Sequence, residues 1–254
     1  MKLTILGCSG GIGSGRHTTC LKVDGDILID AGTGITTLSL EALLAIDHVF
    51  ITHSHLDHVL GLPLLLDAVG EKRTTPIVVH ALPEVLDILA ADLFNWRLWP
   101  DFREIPSAEA PWVRFEPLPM GEHVSVGEWT FTSLPANHVV PACGMRLATA
   151  AGSIVFSGDT TRCAAFVAAL NAIPDLRHLI IETSFENALA EIAQASKHHW
   201  PDSLAAELGG LTVHPEVWIT HLKPGNEAAI MDELRAAAPG WNLKALQQGQ
   251  VIEL

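Results

Sequence analysis

The stretch His48-Val49-Phe50-Ile51-Thr52-His53-Ser54-His55-Leu56-Asp57-His58-Val59-Leu60-Gly61 decides how this chain is read. Its first five residues form an apolar, β-branched run of strand type, and the next six hold three histidines and an aspartate. In extended backbone, residues two apart point to the same side, so His53 and His55 can approach one ion from a strand end. Asp57 and His58 follow where the chain turns into a helix, with Asp57 suited to the N-cap. Surface histidines around a helix start are the ordinary explanation for one histidine. A cluster this dense after an apolar strand is costly to bury without a metal, because each imidazole and carboxylate would need its own hydrogen-bond partner.

The remaining sequence repeats this alternation of strand and helix. Strand-like runs fall at 2–6, 20–23, 27–30, 48–52, 77–80, 113–115, 129–134, 154–157, 179–182, 217–220 and 251–254. Helical spacing falls at 36–45, 59–69, 83–91, 164–171, 187–196, 202–210 and 227–238. The expected class is α/β, with mixed sheets covered by outer helices in a single domain over 1–254. A Pro- and Trp-rich stretch, 94–119, reads as an irregular excursion rather than a boundary.

Composition narrows the chemistry. The 254 residues carry 15 basic and 29 acidic side chains, a formal charge of -14 that repels long polyanions, and the 48% hydrophobic share is ample for a core. Four cysteines, Cys8, Cys20, Cys143 and Cys163, show no C-x-x-C spacing and are expected as small buried hydrophobes. No leader-like or membrane-spanning run is read, so the expectation is a cytoplasmic protein without membrane contact.

The segment 53–58 resembles the His-x-His-x-Asp-His signature of the metallo-β-lactamase superfamily. Matching stations follow in order: His138 in Pro135-Ala136-Asn137-His138, Asp159 in Phe156-Ser157-Gly158-Asp159, and His221 in Ile219-Thr220-His221. The resemblance implies a four-layer αβ/βα sandwich of two mixed β-sheets flanked by helices. It also implies two divalent ions, one on His53, His55 and His138, the other on Asp57, His58 and His221, with Asp159 bridging. Nitrogen and carboxylate ligands without cysteine suit Zn2+, with Mn2+ or Fe2+ as alternatives.

Four further segments are similar to the class II 3′,5′-cyclic-nucleotide phosphodiesterases: 53–61, 94–102, 181–187 running on to Ser196-Lys197-His198, and Thr220-His221-Leu222-Lys223-Pro224-Gly225. That likeness implies hydrolysis of a cyclic nucleotide such as cAMP or cGMP to a 5′-monophosphate by a hydroxide held between the ions. The metals would supply the positive charge that an acidic chain lacks. Glu182 and His198, at stations where the related transfer-RNA 3′-processing nucleases have a glutamate and a histidine, are candidates for protonating the leaving group, with His199 as the alternative donor. Asp57 is expected to accept a proton while ligating. His199-Trp200 departs from the family, which has a small polar residue two places after His198.

A glycine-rich turn at 7–13 and His17 are weaker candidates for ligand contact, and Trp96 or Trp99 for stacking on a base. His48, His80, His123, His178 and His214 are expected to be ordinary residues. A homodimer is also expected from the family. The alternative functions are a transfer-RNA 3′-processing nuclease, a thioester hydrolase of the glyoxalase II type, and a metal-binding module without catalysis. The first is opposed by the acidic charge and the lack of a basic arm. The second would need a helical substrate-binding region after His221.

Overall fold

A computed structural model describes residues 1–254. Strands β1 (Lys2–Gly7), β2 (Cys20–Val23), β3 (Ile27–Ile29), β4 (His48–Phe50), β5 (Ile77–Ala81) and β6 (Val113–Pro117) form one sheet. Strands β7 (His123–Val126), β8 (Trp129–Pro135), β9 (Cys143–Thr149), β10 (Gly152–Phe156), β11 (Leu176–Glu182), β12 (Glu216–Thr220) and β13 (Leu243–Ala245) form the second. The last strand, β14 (Val251–Glu253), returns to the first sheet beside β1.

The two sheets follow the same plan. From β14 to β3 the pairings are antiparallel and from β3 to β6 parallel, and the second sheet repeats this from β7 to β10 and from β10 to β13. No sequence repeat announces this duplication, because a pairing order needs only alternating apolar strands and crossover helices. The expected mixed sheets flanked by helices are therefore present. Phe50 of β4 and Phe131 of β8 stack at 4.1 Å between ring centroids, joining the sheets in one buried cluster. A second cluster seals the other sheet against helices Ala164–Asn171, Pro201–Leu208 and Glu227–Ala237.

Most expected elements are found, with shifted ends. The single helix read at 36–45 is a tight turn, Thr33–Thr37, followed by a helix at Leu40–Leu44, because the Ser39 hydroxyl accepts from the Ala42 amide and starts a new helix there. Strands β7, β9 and β13 were not expected. Each is short or interrupted by Gly, Arg, Ser or Lys, and it is pairing with a neighbour that holds it extended. Cys20 and Cys143 are buried, Cys8 and Cys163 half-buried, and all four are free thiols. No helix is long and apolar enough to cross a membrane.

His80 of β5 lies away from the cluster, 3.1 Å from His48 and stacked on Phe50 at 4.6 Å. Burial, with the neighbouring His48, pushes its value down to about 4. Unfolding frees it to bind a proton at its usual value, so its contribution to stability is complete above pH 6.5 and disappears as the pH falls through about 4. His80→Phe keeps the stack, and we expect it to remove on the order of 1–2 kcal/mol of the acid destabilisation between pH 7 and 4, after discounting for solvent screening. Parallel melts of wild type and variant across that range check this. Equal acid sensitivity in both would refute it.

Candidate metal centre

Every expected metal ligand follows a strand's C-terminal end, while Glu182 is the last residue of β11 and His198 follows helix Ala190–Ser196. His53, His55, Asp57 and His58 come after β4, His138 after β8, Asp159 after β10 and His221 after β12. The parallel strands of both sheets run toward one edge, the usual place for a site in an open α/β sheet. The structure brings all seven together. One ligand atom from each of His53, His55, His138 and Asp159 lies within 4.8 Å of the others, and the same holds for Asp57, His58, Asp159 and His221. Asp159 belongs to both groups.

Contact lengths test whether a cation fits. The His58 Nε2–Asp159 Oδ1 distance is 3.4 Å, His53 Nε2–Asp159 Oδ2 3.6 Å and His221 Nε2–Asp159 Oδ2 3.5 Å. His55 Nδ1–His138 Nε2 and His221 Nε2–Asp57 Oδ2 are both 3.2 Å. A tetrahedron with metal–nitrogen bonds of about 2.0–2.1 Å has edges of about 3.3 Å, which these spacings match. The Nε2 atoms of His53 and His58 are buried and have no hydrogen-bond partner, a costly state unless an ion faces them. The donor set fits divalent cations.

Charge points the same way. Burial works to raise the Asp159 carboxyl, yet the His221, His58 and His53 imidazoles together hold it well below the usual carboxylate range. Burial also opposes a proton on His58, but Asp159 and Asp30 on either side outweigh it and raise that histidine well above normal. Burial, reinforced by His58, pushes His53 well down. The cluster thus draws positive charge to its centre while leaving His53 a neutral donor.

Asp57 is not the N-cap. His55 occupies that position and Asp57 lies in the first turn of helix Leu56–Val59, with one oxygen turned to His221. A cap would have tied Asp57 to a backbone amide instead. His221 itself has φ 61°, a left-handed conformation held because its amide donates to the Cys8 carbonyl. The glycine-rich turn supports it from the other side: a Cβ on Gly10 would come within 2.9 Å of His221 Nδ1. That role is structural. His17 pairs through Nδ1 with the Thr33 carbonyl.

Sequence reasoning missed Asp30. It follows β3, is fully buried, and accepts from His58 Nδ1 at 2.7 Å and from the Thr52 amide at 2.8 Å. It therefore fixes the His58 tautomer that leaves Nε2 facing the cluster. An Asp between an apolar strand and Ala31-Gly32 was the available signal. We expect Asp30→Asn to weaken metal affinity about 10–100-fold, read by competition with a chromogenic chelator. Unchanged affinity would remove Asp30 from the centre.

Beside the cluster, His198 Nδ1 donates to Glu182 Oε1 at 2.7 Å. Burial opposes a proton on His198, but Glu182 outweighs it and raises the histidine above its usual value. The Thr160 amide donates to Glu182 Oε1, and the Ser184 hydroxyl donates to Oε2 while accepting from His221 Nδ1 at 2.9 Å. Ser184 thus joins the metal cluster to the Glu182–His198 pair, a link that reading the segment left unassigned. His199 is a poor alternative donor: it is fully buried, paired with Ser203, and pushed by burial down to about 4.

Trp96 is exposed, whereas Trp99 packs against the core, and neither borders the cavity beside His138. Of the histidines expected to be ordinary, His178 faces Glu216, His214 packs against Trp241 with its ring tilted, and His123 lies exposed on β7.

Fold and cluster together define a protein class. The chain belongs to the beta-lactamase superfamily, whose domain model matches residues 26–238. A ribonuclease Z of Bradyrhizobium diazoefficiens is 33% identical over 144 residues, 54% of this chain and 46% of that protein. A probable 3′,5′-cyclic-nucleotide phosphodiesterase of Yersinia pestis is 29% identical over 120 residues, 46% of this chain and 34% of the relative. The chain therefore matches less than half the length of either relative. The crystal structure of unliganded yeast PDE1 superposes with a TM-score of 0.84 at 20% identity, covering 100% of this chain and 99% of that one, a likeness of fold.

Proposed function

We propose that this protein is a metal-dependent phosphodiesterase that hydrolyses 3′,5′-cyclic nucleotides, cAMP or cGMP, to nucleoside 5′-monophosphates. The observation that carries the phosphodiesterase reading is the Glu182–His198 pair at 2.7 Å, set directly against the two ligand groups; the choice of a cyclic nucleotide rests on the likeness of the four segments and on the acidic charge. His53, His55 and His138 would hold one ion, Asp57, His58 and His221 the other, and Asp159 both. Bound divalent ions supply positive charge to a phosphoryl group and make water more acidic.

The chain's own residues do the rest. Glu182 orients the His198 ring through Nδ1, and His198 Nε2, which bonds to no protein group, carries the proton for the departing ring oxygen. Asp57, whose carboxyl is held low by its bond to His221 and by His58 against the effect of burial, stays charged and accepts the proton of the attacking water. The formal charge of -14 favours a small anion over a long one.

The identity with ribonuclease Z favours a second reading, a transfer-RNA 3′-processing nuclease. It uses the same phosphodiester chemistry on a different substrate, and a side-by-side assay separates the two. Bound metal is measured first. Then cAMP, cGMP, 2′,3′-cyclic nucleotides, a precursor transfer RNA and a lactoylated thiol are compared side by side. Turnover of a 3′,5′-cyclic nucleotide is the expected result, and failure on both with turnover of any other overturns the first reading.

A further inference from the structure

Lys197 stands where backbone geometry disfavours any side chain. It closes helix Ala190–Ser196 at φ 53° and ψ 51°, the left-handed position that glycine normally takes at a helix end. Its side chain is nevertheless put to use. Nζ donates to the His138 carbonyl at 3.0 Å, while the Lys197 carbonyl accepts from His138 Nδ1 at 3.1 Å. An ammonium has three donors, so two are left unused.

Lys197 borders a cavity. About 470 Å³ opens beside His138, with Leu82, Met120, Val140 and Pro141 among its apolar walls, Lys197 its one cation and Glu84 its one carboxylate. That volume lies in the range of small-molecule sites. With two donors unused on Lys197, the cavity offers an anionic group a charged partner, and Glu84 in the same lining leaves room for only one such anion.

We propose that this cavity is the subsite for the nucleoside part of a phosphate ester, with Lys197 binding the phosphoryl charge at its mouth. The choice of a nucleotide rests on the phosphodiesterase reading. The cavity and the cation do not.

Binding of adenosine 5′-monophosphate and of adenosine, by calorimetry on the metal-loaded protein, tests the subsite. Wild type is expected to bind both. Lys197→Met and Lys197→Gly should weaken the monophosphate about 10–100-fold, the loss of one charged hydrogen bond, and leave adenosine within about twofold. Val140→Trp, which fills the cavity, should weaken both. Lys197→Gly relieves the left-handed strain, so it should melt no lower than wild type and keep its metal, because the contact with His138 Nδ1 is made by the backbone carbonyl.

Failure of wild type to bind the monophosphate, equal affinity in wild type and Lys197→Met, or loss of metal in step with loss of ligand would each overturn the proposal. If binding behaves as expected but no phosphodiester is hydrolysed, the subsite stands and the enzymatic reading falls. If Lys197→Met hydrolyses cyclic nucleotides with unchanged KM, the reverse holds.

Discussion

Asp159→Ala is expected to lose most bound metal and to lower phosphodiester turnover by at least about 10³-fold. Asp159 is the one residue shared by both ligand groups, and its two oxygens lie 3.4–3.6 Å from three imidazole nitrogens. Removing it leaves the His53, His55, His138 group with no anion at all. The other group keeps Asp57, whose side chain is partly open to solvent and so less able to balance a cation. Metal content by mass spectrometry after dialysis is the direct readout. Asp159→Asn separates charge from shape, since it retains an oxygen donor but no negative charge, and should fall between wild type and alanine. An alanine variant that retains its full metal content would show that the two groups do not share a bridge.

His198→Ala should keep its metal and slow cyclic-nucleotide turnover by about 10²–10⁴-fold. The residue is not in either of the two ligand groups that share Asp159, although it stacks on His221 at 5.2 Å, so loss of its ring should not empty the centre. What disappears is the proton for the leaving oxygen. The deficit should therefore shrink toward unity for a nitrophenyl phosphodiester, whose phenolate departs without protonation. Equal slowing on good and poor leaving groups would place His198 in substrate binding rather than proton transfer. Glu182→Gln should reproduce the same dependence more weakly, because the imidazole survives but loses the carboxylate that raises its hold on the proton.

Legibility varied with how local each interaction is. The 53–58 segment could be read directly because strand alternation followed by a helix start brings four side chains together within six residues. His138, Asp159 and His221 were readable only through the resemblance to the superfamily pattern, in their order after strand-like runs, since no local rule connects residues so far apart. Asp30 was invisible as a partner of His58: they are 28 residues apart and meet because β3 and β4 pair in parallel. Ser184 and Lys197 lay inside segments already singled out, yet their roles depend on contacts with His221 and His138 from other strands. The helix expected at 36–45 and the strands β7 and β9 show the opposite failure, where local propensity was overruled by a cap or by pairing.

The sequence by itself determined the α/β alternation and the 53–58 cluster of histidines and aspartate, because these follow from residue type and short-range backbone period. Only the tertiary structure decided between His198 and His199. Adjacent in the chain, they are separated by burial: His198 meets Glu182 at the edge of the cluster, whereas His199 is enclosed with Ser203. It also decided that Asp159 touches both groups and that Lys197 closes over His138. Such outcomes depend on where the ends of strands from two separate sheets meet, and sheet packing leaves no periodic trace in sequence.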